Sequence, residues 1–99
     1  MSHGDWKDMF KAVQENNIDI VKFHISIGTD INFQHPKFFT SVLIESIRLN
    51  HHSITKLLIE NGADIELKES YSNKNAIQIA KELNNQVAIQ IILFYLNKK

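Results

Sequence analysis

The chain has 99 residues, eleven basic and eleven acidic side chains, a formal charge of zero and no cysteine. That length suits one small domain, and without cysteine a disulfide framework, a thiolate metal site and a catalytic thiol are all excluded. The basic residues, Arg48 alone among them an arginine, are spread through the sequence, so no clustered basic face supports nucleic acid or a membrane as partner.

The opening residues Met1-Ser2-His3-Gly4-Asp5 lack the basic and apolar regions of a secretory signal, which predicts a cytoplasmic protein. A first helix is predicted near 5–15, with Asp5 as its N-cap and Asp8 three residues on. Asn16 then marks a tight turn that needs a left-handed residue, which asparagine tolerates better than most. The next segment is ambiguous. Ile18, Ile20, Phe23, Ile25, Ile27, Ile31 and Phe33 come close to the alternation of a strand. The equivalent later segment, Ser53 to Glu60, has helical spacing and good helix formers, so residues 18–27 are read as helix. Gly28 supplies a left-handed C-cap. A loop over 30–40 follows, with the single proline, Pro36.

Helices near 41–49 and 52–61 come next, started by Ser41 and separated by Asn50, with Gly62 closing the second. A polar loop over 64–74 leads to helices near 75–83 and 86–97, started by Asn75 and separated by Asn84. The longest apolar stretch, Ala88 to Leu96, is about half of the ~20 residues that a membrane span requires. Leu93, Phe94, Tyr95 and Leu96 are expected to pack mostly on the preceding helices, and Lys98 and Lys99 to suit the negative end of the last one.

This order repeats with a period of 34 residues. Asn16 aligns with Asn50 and Asn84; Gly28-Thr29-Asp30-Ile31 aligns with Gly62-Ala63-Asp64-Ile65; Met9 aligns with Leu43 and Ile77. A period of this size marks stacked supersecondary units that cannot bury their apolar faces alone, and such stacks usually present a surface to a partner. The predicted architecture is an all-α solenoid of three helix-turn-helix units, about 5–40, 41–74 and 75–99, forming one domain over 1–99.

Gly62-Ala63-Asp64-Ile65, preceded by Ile54 to Asn61, resembles the second half of an ankyrin repeat. Ile20-Val21-Lys22-Phe23, ending at Gly28-Thr29-Asp30-Ile31-Asn32, is a looser copy, and Asn75 to Lys81 resembles the opening helix of a C-terminal unit. The slots that open an ankyrin unit with Thr-Pro-Leu-His read Lys7-Asp8-Met9-Phe10, Ser41-Val42-Leu43-Ile44 and Asn75-Ala76-Ile77-Gln78. Asparagine replaces the family's turn glycine, and each connecting loop is one residue longer than the family pitch.

The histidines do not form a metal site by sequence. Adjacent His51 and His52 do not share a helix face, no two histidines stand four apart, and no cysteine completes a set. The ankyrin resemblance gives His51 a structural slot, while His24 aligns with Leu58 and Ile92 and is expected to be partly buried. No phosphate-binding glycine loop and no Gly-x-Ser-x-Gly or His-Glu-x-x-His motif occurs, so neither a cofactor nor catalysis is expected.

The resemblance implies a concave face built from loop tips and the exposed side of the first helices, a face that commonly binds protein. Its slots fall on His3, Gly4 and Trp6, then on Lys37, Phe38 and Thr40, then on Tyr71, Ser72 and Lys74. On the helices they fall on Lys11, Gln14 and Glu15, on Glu45, Arg48 and Leu49, and on Ile79, Glu82 and Leu83. Trp6, Phe38 and Tyr71 would share one rim; Phe39 is expected to be buried, and Trp6 could equally cap the open end of the stack. Binding hot spots are enriched in Trp, Tyr and Arg, which this face supplies. The expected function is binding of another protein without catalysis, by a chain that is monomeric when free. Its most specific form is a small stoichiometric inhibitor, such as a bacterial immunity protein neutralising a toxin. That form rests on chain size, the absence of a tail or second domain, and an isoleucine- and asparagine-rich composition that hints at AT-rich coding. The alternatives are a general adaptor or regulatory subunit and, further off, a small enzyme or metal-binding domain.

Overall fold

The computed structural model describes residues 5–98. Six helices follow in order: α1 (Asp5–Gln14), α2 (Ile18–Ser26), α3 (Val42–Arg48), α4 (His52–Glu60), α5 (Ala76–Glu82) and α6 (Gln86–Asn97). Among the described residues there is no strand. The segment with strand-like alternation is helix α2, as its later copy requires.

The turn chemistry recurs at the predicted pitch. Asn16, Asn50 and Asn84 adopt φ of 58°, 61° and 54°. Behind each, one backbone bond closes the turn: Asn17 N–H to Ala12 O, His51 N–H to Ser46 O and Asn85 N–H to Ala80 O, at 2.8, 2.9 and 2.9 Å. The side chains of Asn17 and Asn85 then cap α2 and α6 by accepting from the N–H groups of Ile20 and Ala88. Gly28 and Gly62 follow α2 and α4 at φ of 84° and 99°, where a side chain would be strained. Ser41 caps α3, and Asn75 forms a reciprocal capping box with Gln78. Asp5 departs from its expected role: it is the first residue inside α1 and not the cap before it.

Helices α1, α3 and α5 pack side by side in one layer, and α2, α4 and α6 in a second, each helix pair closed by its turn. The core between the layers holds Val13, Leu43, Ile47, Ile54, Leu58, Ile79 and Ile92, all essentially without solvent contact. Burial of each such side chain contributes roughly 1.5–3 kcal/mol. Two polar contacts tie the helices inside: Ser46 Oγ meets Thr55 Oγ1 at 2.7 Å, and Asn85 Nδ2 donates to Ile47 O at 3.1 Å and to Asn50 Oδ1 at 2.9 Å. His24 is buried more fully than expected, its Nδ1 3.1 Å from Thr29 Oγ1. His51 Nε2 lies 3.3 Å from Gln14 O, linking neighbouring helix pairs.

Two expectations about burial on the helices differ from the structure. Ile79, expected among the exposed slots of the first helices, is packed in the core, where α5 lies against α3 and α6. On α6, Tyr95 and Leu96 are partly covered, but Leu93 and Phe94 project into solvent. Phe94 occupies the outward position that Ser26 and Glu60 hold in α2 and α4, and Leu93, whose equivalent Ile59 is buried, has no further described helix packed over it beyond α4 and α5.

Candidate binding groove

The loops after α2 and α4 are built on the same tight turn. His35 N–H donates to Thr40 O at 2.8 Å and Phe39 N–H to His35 O at 2.7 Å. One period later, Glu69 N–H donates to Lys74 O and Asn73 N–H to Glu69 O, at 2.9 and 2.8 Å. The turn needs one left-handed residue, supplied by Phe39 at φ 54° and by Asn73 at φ 60°. Asparagine adopts that conformation readily; phenylalanine does so at a cost.

Each loop grips the next. Gln34 donates from Nε2 to Lys68 O at 2.8 Å and accepts from Ser70 N–H at 3.2 Å. Tyr71 N–H donates to Phe39 O at 2.9 Å, and Asn32 Oδ1 accepts from Asp64 N–H at 2.8 Å. His35 organises its own turn: Nδ1 accepts from the N–H groups of Lys37 and Phe38 at 3.0 and 3.2 Å. Burial and then the Lys37 charge push its pKa down, which favours the neutral ring that this acceptor role requires. The ring also packs between Trp6, Phe10 and Phe38, with centroids at 5.0, 4.6 and 4.4 Å.

Between these loops and the first helices lies an open groove of about 440 Å³, lined by Gln14, Lys37, Phe38, Phe39, Thr40, Glu45, Arg48 and Tyr71. Phe38, Phe39 and Tyr71 are 51%, 50% and 72% exposed. The floor is anchored by an ion pair between a buried carboxylate and a part-exposed guanidinium. Glu69 has no solvent exposure, and Arg48 donates to its two oxygens from Nη1 and Nη2 at 2.6 and 2.5 Å. The Ser72 hydroxyl donates to the same carboxylate. Burial alone would raise the Glu69 pKa, but the hydrogen bonds from Arg48 and Ser72 outweigh it and hold the carboxyl below the usual glutamate range. The Arg48 guanidinium lies 5.8 Å from the Tyr71 ring centroid, so one cation both neutralises Glu69 and steadies an exposed aromatic.

Of the residues expected on a binding face, the fold brings Lys37, Phe38, Glu45, Arg48 and Tyr71 into this groove, and Gln14 joins Glu45 through a 3.3 Å hydrogen bond. Thr40 borders it but is 1% exposed, held under the turn that Phe39 caps. Phe39 is exposed and not buried, because a left-handed residue turns its side chain away from the loop interior. Trp6 is half-buried against Phe33 at 4.9 Å and His35, outside the groove but continuous with its aromatic wall. Lys11 and Glu15 open instead onto a cavity beside α2, with Asp8, Ile20 and Phe23. Leu49 is the exposed C-cap of α3, one position past Arg48 and clear of the groove lining. Ser72 is turned down to Glu69, while Lys74 and Glu82 form an ion pair with each other. His3 and Gly4 lie outside the described residues. Among the described residues no group of three or more His, Asp or Glu side chains is arranged to hold a metal.

The ankyrin repeats family model matches residues 9–99 with three copies. A putative ankyrin repeat protein of fowlpox virus (strain NVSL) is 34% identical over 86 residues, covering 85% of this chain and 25% of its own. A putative ankyrin repeat protein of Acanthamoeba polyphaga mimivirus is 36% identical over 81 residues, covering 82% of this chain and 49% of its own. The crystal structure of an ankyrin repeat protein superposes with a TM-score of 0.77 at 32% identity, covering 86% of this chain and 45% of that one. The chain thus spans a quarter to a half of the length of these relatives.

Proposed function

Because the chain belongs to the ankyrin-repeat family, we propose that it acts by binding another protein in the groove between its loops and first helices, without catalysis. One observation carries this reading: Phe38, Phe39 and Tyr71 are exposed together on walls fixed by loop-to-loop hydrogen bonds. A preformed surface lowers the ordering cost of association, and clustered aromatics beside an arginine are the composition of binding hot spots. The contact set of the proposal is Lys37, Phe38, Phe39, Glu45, Arg48 and Tyr71. The narrower form is stoichiometric inhibition in the cytoplasm, with a toxin neutralised by a bacterial immunity protein as its type. It is supported by the clustering of the exposed aromatics Phe38, Phe39 and Tyr71 in this groove, which suits covering one partner surface. No described helix is long and apolar enough to cross a membrane.

Affinity capture with the immobilised chain from its source cell should recover a partner whose own activity is lost in the complex. Tyr71→Ala should weaken that complex by roughly ten- to thirtyfold at unchanged melting temperature, since the Tyr71 ring is largely free of the fold. A partner that stays fully active points to the adaptor reading, and equal affinity of Y71A would remove the groove from the interface.

A further inference from the structure

Positions 34 residues apart occupy equivalent places on the outer side of the second helices. Asp19, Lys22 and Ser26 on α2, and Ser53, Lys56 and Glu60 on α4, are exposed and polar. The same positions on α6 hold Val87, Gln90 and Phe94, equally exposed. These positions face solvent even in the middle helix pair, so the end of the stack does not account for Val87 at 49% and Phe94 at 58% exposure. Leu93 and the half-buried Ile91 widen the patch. A shallow cavity of about 500 Å³ opens there between α4 and α6, bordered by Lys56, Glu60, Phe94 and Lys98.

We propose that this face takes a second copy of the chain, the two α6 helices lying antiparallel about a two-fold axis beside Gln90 and Ile91. A two-fold contact requires a self-complementary patch, and this one has that property twice. Val87 and Phe94 are spaced two turns apart, about 10 Å, on either side of the axis, so each Phe94 meets the second copy's Val87. On α4, Lys56 stands level with Gln90 beside the axis and Glu60 one turn further on, so each lysine reaches about 4–5 Å along the helix direction to the second copy's glutamate. Tyr95 holds Glu60 in place with a 2.5 Å hydrogen bond from its hydroxyl. The exposed parts of Val87, Ile91, Leu93 and Phe94 amount to roughly 300 Å² per copy. Stable complexes bury about 800 Å² per partner, so this pairing is weak and the chain is monomeric when dilute.

Sedimentation equilibrium on the full chain from about 10 µM to about 1 mM tests this. The weight-average mass should climb from 11.5 kDa towards twice that value. The double variant Val87→Ser, Phe94→Glu carries the residues that α4 already holds at those positions; it should melt like the parent and stay monomeric throughout. Lys56→Glu should weaken pairing about threefold, and adding Glu60→Lys should restore it. A parent mass that never rises, a mass that runs past two copies, or association that the double variant leaves intact would each overturn the proposal. So would patch-dependent binding to phosphatidylcholine–phosphatidylglycerol vesicles by a chain that does not pair.

Discussion

Truncating Arg48 to alanine is expected to cost about 3–5 kcal/mol of folding free energy, because it leaves a carboxylate in the interior without its counter-ion. Glu69 is fully buried, and both its oxygens are engaged by Arg48. Ser72 supplies a third hydrogen bond, which cannot carry the charge by itself. A domain of this size has on the order of 5–15 kcal/mol in total, so urea midpoints would register the loss plainly. Replacing both partners, Arg48→Met with Glu69→Leu, should recover most of it, since the penalty comes from an orphaned charge and not from the absence of a pair. A loss below about 1 kcal/mol in R48A would show that solvent reaches Glu69 after truncation.

The pH dependence has a definite sign. Glu69 in the folded chain titrates below its unfolded value of about 4.3, so the unfolded chain takes up the proton first as pH falls. The stabilisation by the pair is therefore complete above the unfolded value and is lost as pH drops through the folded one. In R48A burial is opposed by hydroxyl hydrogen bonds alone, with no counter-ion, so the Glu69 pKa rises and the sign reverses. The gap in urea midpoint between parent and R48A should narrow steadily from about pH 7 to about pH 4. A constant gap would separate the effect of Arg48 from the charge on Glu69.

How much of this was legible in the sequence follows from what a repeat can and cannot encode. Helix ends were readable to within one or two residues because the period returned Asn16, Asn50 and Asn84 and the glycines Gly28 and Gly62 to the same backbone needs. The loop turn also has the period, with His35 matched to Glu69 and Phe39 to Asn73, yet the paired residues differ in type and the match is silent until the backbone is seen. Burial of Glu69 depends on Arg48, twenty-one positions earlier, and no local pattern announces it. Lys11 and Glu15 share slots with Glu45 and Leu49 but not surroundings. Glu45 faces the helix before it through Gln14, and α1 has no helix before it among the described residues. Copying a slot transfers its backbone and not its neighbours.

Phe39→Asn is expected to leave stability within about 1 kcal/mol of the parent while weakening the partner complex by roughly thirtyfold. Two terms nearly cancel in the fold. Losing the half-covered ring costs about 1–1.5 kcal/mol of burial, and asparagine relieves roughly 1 kcal/mol of left-handed strain. The matching turn shows that asparagine fits, because Asn73 has φ 60° against 54° for Phe39. The backbone bonds to His35 and Tyr71 involve only the N–H and C=O of residue 39, so the turn survives the exchange. Phe39→Ala removes the same ring but keeps the strain, and should melt below F39N by about 1 kcal/mol equivalent in urea. That order, parent close to F39N and both above F39A, isolates the backbone cost from the packing of the ring. Equal stability of F39A and F39N would mean that no strain is stored at this turn. An unweakened complex with F39N would mean that the strain serves something other than the groove. A bulky residue held half-exposed at an unfavourable dihedral gains the fold little that asparagine could not supply, so its use is sought in what it touches outside the chain.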